Sequence, residues 1–353
     1  MLAYEYQSDG VLRLVERADP VAAAGEVVVQ VAASGICGTD LKIARGQHRL
    51  YPAGTVRIPG HEAVGVITQN RSGQDLFAPG TRVAIAPNIA CTRCRPCRRG
   101  LGNLCENYQS VGLTFDGGFA EQVLIPAAGV AAGNVMVVPD GLDMAVASLV
   151  EPIAAVVRGL RPLTLGSDDT LLVCGAGPIG LIALLVARHR GVGRVIVSQT
   201  SPHRRGIAEH LGADATLDPR EGDLAHQVRD LTDGAGADAI VVATPVAQVF
   251  ADAVRSAAKG GRINFFAGLP TGQGVVGLDA NLVHYGELVL TGSTANTNAD
   301  CREALDLLTE VPEVFAPLIS ARFPLEQADQ AFAAATSGDN LKVLVTPRTP
   351  LPA

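Results

Sequence analysis

Cys37, His61 and Glu62 bring a thiol, an imidazole and a carboxylate into one short stretch, beginning at Cys37-Gly-Thr-Asp and ending at Gly-His61-Glu62. These are the three donor types that hold Zn²⁺ in proteins, and a site with three protein ligands keeps a coordination position open for chemistry. A second group, Cys91-x-x-Cys94-x-x-Cys97-x7-Cys105, offers four thiolates at close spacing. Four cysteines can surround one tetrahedral Zn²⁺ with no open position, which is the pattern of a structural ion. Iron–sulfur ligation is the rival; the wide last spacing and the lack of a following proline separate this run from the ferredoxin pattern. Arg93, Arg95, Arg98 and Arg99 around the thiols read as a solvated face.

A third motif is Gly175-Ala-Gly177-Pro178-Ile179-Gly180, placed between the apolar runs TLLVC and LIALLVA. Glycines at this spacing, between a strand and a helix, let a dinucleotide pyrophosphate approach the helix N-terminus. An acidic residue about twenty positions on usually holds the adenosine ribose. Here Ser198 and Gln199 stand at that point, followed by His203, Arg204 and Arg205. Without a carboxylate to repel a 2′-phosphate, NADP is admissible beside NAD.

The elements that must position these residues fall into two grammars. Short β-type runs (VLRLVE, EVVVQVAASG, AVGVITQ, RVAIAP, EQVLIP, VMVVP) divided by turn signals fill the first part and suit a partly open barrel or sheet. From about Asp169 strands and helices alternate (TLLVCG, PIGLIALLVARHRG, RVIVS, SPHRRGIAEHLGA, DAIVVAT, GRINFFAG), which favours a doubly wound parallel sheet. After ELVLTGS, the helical runs CREALDLL and LEQADQAFAAA and the strand LKVLVTP read as a return to the first domain. The expected division is 1–150 with 294–353 as a zinc-binding catalytic domain and 151–293 as a dinucleotide-binding domain, an α/β protein throughout.

Composition agrees. The chain has 353 residues, 48% hydrophobic and 18% charged, enough for two cores. A net charge of −7 argues against nucleic-acid or anionic-membrane partners. Seven cysteines are too few for a disulfide scaffold. The N-terminal run shows no basic region followed by an apolar stretch, so the expected location is the cytoplasm.

With GICGTD, GHEAVG, the four-cysteine run, DGGFAE, EPIAAVVRG and GAGPIG in this order, the chain resembles the zinc-dependent medium-chain dehydrogenases and reductases, the superfamily of zinc alcohol, sorbitol and threonine dehydrogenases. The resemblance spans nearly the whole length. It implies a GroES-like catalytic domain beside a Rossmann domain, two zinc ions per chain and NAD or NADP. It also implies a catalytic zinc on Cys37 and His61, with Glu62 as a ligand or an exchanging neighbour. Glu151 stands where many alcohol dehydrogenases have a second cysteine, a substitution resembling the polyol and threonine branch; it binds the metal directly or holds a water.

By the same resemblance Thr39 passes the substrate proton outward; the alternative is a helix N-cap. Relatives carry a histidine five residues after the cysteine ligand, where this chain has Lys42, so the relay would end in Lys42, His48 or water. The segment NLVHYGELVLTGS resembles sugar-alcohol members and directs the reading to a secondary alcohol of a polyol, cyclitol or aminocyclitol, with a threonine-type amino alcohol second. A homodimer or homotetramer is implied. The readings of another kind are a non-catalytic nucleotide sensor and a zinc-free double-bond reductase; the latter does not need Cys37, His61 and Glu151.

Overall fold

The computed structural model describes residues 1–347; residues 348–353, the end of the segment assigned to the zinc-binding domain, lie outside them. The chain divides into two compact units, Met1–Ala154 with Ala295–Ala353, and Ala155–Thr294.

The first unit is built on a seven-stranded sheet. Its strands run in the order Ile319–Pro324, Lys342–Thr346, Val27–Gly35, Glu62–Asn70, Arg82–Ile85 and Val135–Val137, with Gln122–Ile125 also paired to Val27–Gly35. Val27–Gly35 is apolar almost throughout and buried along its length, as befits a strand paired on several sides. One core gathers Val29, Ile67, Val83, Ile85 and Val123. Another joins Ile36, Ile43 and Ile58 to Phe119, Leu325, Val343 and Val345. This second core holds both ends of the stretch from Cys37 to Glu62, and it needs the last strand of the chain to close. The return of the chain to its first unit is therefore a packing requirement.

The second unit is a six-stranded, all-parallel sheet in the order Ala215–Leu217, Arg194–Ser198, Thr170–Cys174, Ala237–Val242, Ala257–Phe265 and Val289–Gly292. Numbered within the unit this is 3-2-1-4-5-6, the doubly wound arrangement that binds dinucleotides where the order reverses. Leu172, Ile196, Ile240 and Ile263 fill its core with Val228 and Val254 from the crossover helices. The reversal falls at Thr170–Cys174, directly before the glycine motif. Pro178 opens the helix Pro178–His189 with Gly177 at its N-cap, so proline occupies a position where its missing N–H costs nothing. At Gly180 a Cβ would collide with the carbonyl oxygen of Gly175. The third glycine is what lets helix and strand meet.

Several elements were not foreseen, among them the first strand Leu2–Tyr6, the short strand Ala215–Leu217 and the helix Val150–Leu160 that carries Glu151. No helix among the described residues is long and apolar enough to cross a membrane.

Gly180→Ala is expected to destabilise the parallel-sheet unit by about 1–3 kcal/mol through forced overpacking. Denaturant unfolding followed in that unit reads the change; a midpoint equal to the parent's would show that the loop accepts a side chain.

Candidate metal centres and dinucleotide site

Cys37 follows the strand Val27–Gly35 and caps the helix Gly38–Ala44, its N–H donating to Asp40 Oδ2 at 2.9 Å. The cap is thus Cys37, with Asp40 three residues on as its reciprocal acceptor. Thr39 is not the N-cap; it lies half-buried in the first turn, three residues before the exposed Lys42 on the same helical face.

His61 is set by the turn before it. Asp116 Oδ1 accepts from Ile58 N at 3.0 Å, and Gly117 N and Gly118 N donate to the carbonyls of Ile58 and Gly60 at 2.8 Å each. The DGGF segment thereby clamps PGHE from the side. Glu62 then begins the next strand, opposite Gly35 in the ladder. A Cβ at Gly35 would occupy the space of the Glu62 carboxylate, so that glycine makes room for the acid.

Ligand atoms of Cys37, His61 and Glu62 lie within 4.8 Å of one another. His61 is 6% exposed and Glu62 1% exposed. His61 Nδ1 stands 3.6 Å from Asp40 Oδ1, too far for a hydrogen bond, and both atoms lack a hydrogen-bond partner, as does Glu62 Oε1. Burial works against a charged imidazole. The Asp40 carboxylate and the Cys37 thiol outweigh it and hold the His61 pKa well above its usual range. A site that draws a proton so strongly also favours a metal cation in the proton's place. Sulfur, nitrogen and oxygen donors with unpaired buried atoms fit zinc.

Glu62 Oε2 is committed to the Lys342 ammonium in an ion pair buried at both ends, and Lys342 also donates to Ile36 O at 3.3 Å. Sequence reasoning gave Lys342 no role; its only signal was a lysine inside the apolar strand LKVLV. Glu151 does not share the mutual 4.8 Å grouping of the other three. Burial raises its pKa, with His61 and Lys342 opposing and Glu62 reinforcing the shift, so its carboxyl lies within the field of the same cluster. Asn296 Nδ2 donates to Glu151 Oε1 at 2.7 Å. His48 accepts weakly from Leu50 N at 3.4 Å through Nδ1, and burial, aided by Arg49, lowers its pKa.

The four cysteines 91, 94, 97 and 105 form the second cluster, again with all sulfurs within 4.8 Å of one another. Cys94 Sγ is 3.3 Å from Cys97 Sγ and 4.0 Å from Cys105 Sγ, and all four are free thiols. The edges of a tetrahedron around zinc, with Zn–S of about 2.3 Å, are of this order. Backbone N–H groups of Cys91 and Asn107 point at Cys105 Sγ at 3.2 and 3.3 Å, donors suited to thiolates. Hydrogen bonds from the backbone of Arg93 and Cys94 lower the Cys91 pKa to about 6.

In the second unit Ser198 closes its strand and is buried, and Gln199 Oε1 accepts from Ser201 N at 3.1 Å. Arg204 Nη1 lies 3.8 Å from the position a Cβ would take on Gly177, so its guanidinium borders the glycine loop. Arg205 is turned away: it binds Asp218 at 2.8 Å and the Gln199 carbonyl at 2.7 Å. Arg220, which the sequence did not single out, bonds Asp218 and the Thr200 carbonyl at 2.6 Å each. Three arginines and one carboxylate therefore surround the segment after Ser198.

A family model described as an alcohol dehydrogenase GroES-like domain matches residues 23–139, and one described as a zinc-binding dehydrogenase matches 178–310. L-threonine 3-dehydrogenase of Pyrococcus abyssi is 33% identical over 80% of this chain and 79% of its own length. Sorbitol dehydrogenase of Halalkalibacterium halodurans is 30% identical over 94% of each chain. Among solved structures, a Sinorhizobium meliloti 1021 protein described as a zinc-binding dehydrogenase, with NADP bound, superposes with a TM-score of 0.89 at 30% identity, covering 98% of this chain and 99% of that one.

Lys342→Met removes one half of a buried pair and strands the Glu62 charge. The expected cost is about 3–5 kcal/mol in chemical denaturation, with Glu62→Gln recovering part of it in the double variant. A loss below about 1 kcal/mol, the range of exposed pairs, would show that the pair is solvated.

Proposed function

The chain belongs to the zinc-dependent medium-chain dehydrogenase superfamily and is an NAD(P)-dependent alcohol or polyol dehydrogenase; from that premise we propose that it oxidises or forms a secondary alcohol of a polyol, cyclitol or aminocyclitol in the cytoplasm. The supporting observation is the buried sulfur, nitrogen and oxygen donor set of Cys37, His61 and Glu62 with its unpaired atoms. Cys37 and His61 would hold the catalytic zinc, and the Asp40 carboxylate, 3.6 Å from His61 Nδ1, favours positive charge at the site. A second zinc sits in the four-cysteine lobe, giving two per chain. Bound zinc supplies the Lewis acidity that makes a substrate hydroxyl acidic near neutral pH.

The remaining steps fall to the chain's own groups. Thr39 accepts the substrate proton and passes it along the helical face on which Lys42 emerges into solvent. Glu151 replaces a thiolate by an oxygen acceptor, either at the metal or on a water. It also offers a neighbouring substrate hydroxyl something to donate to, which favours polyhydric over simple alcohols. Glu62, tied by one oxygen to Lys342, has only Oε1 to offer the metal. Gly175, Gly177, Pro178, Ile179 and Gly180 receive the dinucleotide, with Ser198 and Gln199 at its ribose. Arg204, beside the glycine loop, supplies positive charge for a 2′-phosphate, so NADP is accepted.

The similarity to a threonine 3-dehydrogenase supports an amino alcohol as the second reading. A homodimer is proposed at the free edge of the parallel sheet, where Val289 is 48% exposed and the nearby Tyr285 76% exposed.

Turnover of a panel of polyols, cyclitols, threonine and ethanol with each cofactor tests the substrate reading; activity on ethanol alone would sink it. Gln199→Asp restores a ribose-binding acid and should move the NAD/NADP ratio of kcat/KM towards NAD at least tenfold. An unchanged ratio would assign the choice to other residues.

A further inference from the structure

We infer that Asn296 is the positioning residue for the Glu151 carboxylate, and that Asn88 and Tyr108 anchor it to the four-cysteine lobe. The inference rests on the zinc-site reading above. Asn296 is 1% exposed and lies just before the helix Asn298–Glu310. Its Nδ2 donates twice to Glu151, to Oε1 at 2.7 Å and to the main-chain carbonyl at 3.2 Å. Both the side chain and the backbone of the acid are therefore held by one amide.

The other end of that amide is equally fixed. Asn296 Oδ1 accepts from Asn88 Nδ2 at 2.7 Å and from Cys301 Sγ at 3.5 Å. Asn88 Nδ2 also donates to the main-chain carbonyl of Asn296 at 3.2 Å. Rotating the Asn296 amide by half a turn would set oxygen against the Glu151 carboxylate and N–H against the Asn88 donor. Only one orientation satisfies both neighbours.

Asn88 is oriented in turn, its Oδ1 accepting from the Tyr108 hydroxyl and more weakly from Ser110 Oγ at 3.5 Å. Asn88–Ile89 and Gln109–Ser110 are the paired strands through which the chain enters and leaves the segment carrying Cys91 to Cys105. The lobe thus has a hydrogen-bonded route to the acid. With Oε1 taken by Asn296, Oε2 is the Glu151 oxygen left for the metal or its water. A carboxylate without this clamp would sample other rotamers.

The test uses the zinc-loaded full chain and a double-variant cycle of Asn296→Ala, Glu151→Ala and their combination. Readouts are the release rate of the more labile metal to a chelator and the visible spectrum after cobalt substitution. Asn296→Ala should speed release about 10–100-fold, the range found when partners of metal ligands are removed, and shift the cobalt bands. It should have no further effect once Glu151 is alanine.

Asn296→Asp, which keeps the acceptor for Asn88 and loses the donor to Glu151, should reproduce the change if the alanine variant does not fold. Tyr108→Phe should give a smaller change of the same sign. Additive effects in the cycle, or parent-like release from Asn296→Asp, would overturn the inference. If Cys37→Ser loses a metal ion while the Asn296 variants behave as parent, the zinc site stands and the positioning role alone fails. If Cys37→Ser keeps its full metal content, both fall.

Discussion

The burial of Asp40 and Glu62 beside a buried histidine and a buried lysine is the constraint on which the first unit depends. Half-buried Cys37 and Glu151 lie beside this group, and His61 and Lys342 both act on the Glu151 carboxylate. Buried carboxylates are tolerable only where cations and hydrogen bonds meet them. A divalent metal on Cys37 and His61 would add to the positive charge and supply the chemistry of the proposed reaction. The surrounding geometry reads as a device for keeping these groups close: DGGF clamps the turn before His61, Gly35 leaves space for Glu62, and the last strand brings Lys342 to it.

The two units divide the labour by what each backbone does well. An all-parallel sheet with its strand order reversing at Thr170–Cys174 presents a glycine loop and a helix N-terminus, suited to a pyrophosphate. The mixed sheet places side chains from strands and turns far apart in sequence around one point, suited to a metal. The four-cysteine lobe, entered and left by paired strands, extends from that second framework and is joined to it by side-chain hydrogen bonds.

Legibility in the sequence followed sequence distance. The glycine motif, the four cysteines and the Cys37 to Glu62 stretch are local, so spacing alone announced them, and the alternation after Asp169 announced the parallel sheet. Lys342 pairs with Glu62 across 280 positions and Asn296 with Glu151 across 145. A single lysine in an apolar strand, or an asparagine in a loop, carries no periodic or spacing signal, so neither could be assigned. Arg205 was legible as a basic residue near the ribose and Arg220 was not, and the commitment of both to Asp218 depends on a loop from the next strand. Thr39 is not the helix cap because the helix already begins at Gly38, with Cys37 at its N-cap.

The proposed reaction requires a metal at Cys37 and His61, distinct from any held by the cysteine lobe. Anomalous diffraction at the zinc edge from crystals of the full chain measures this directly. The expected result is two peaks per chain, one within bonding distance of Cys37 Sγ and His61 and one central to Cys91, Cys94, Cys97 and Cys105. A single peak in the four-cysteine cluster, with none at Cys37, would contradict it.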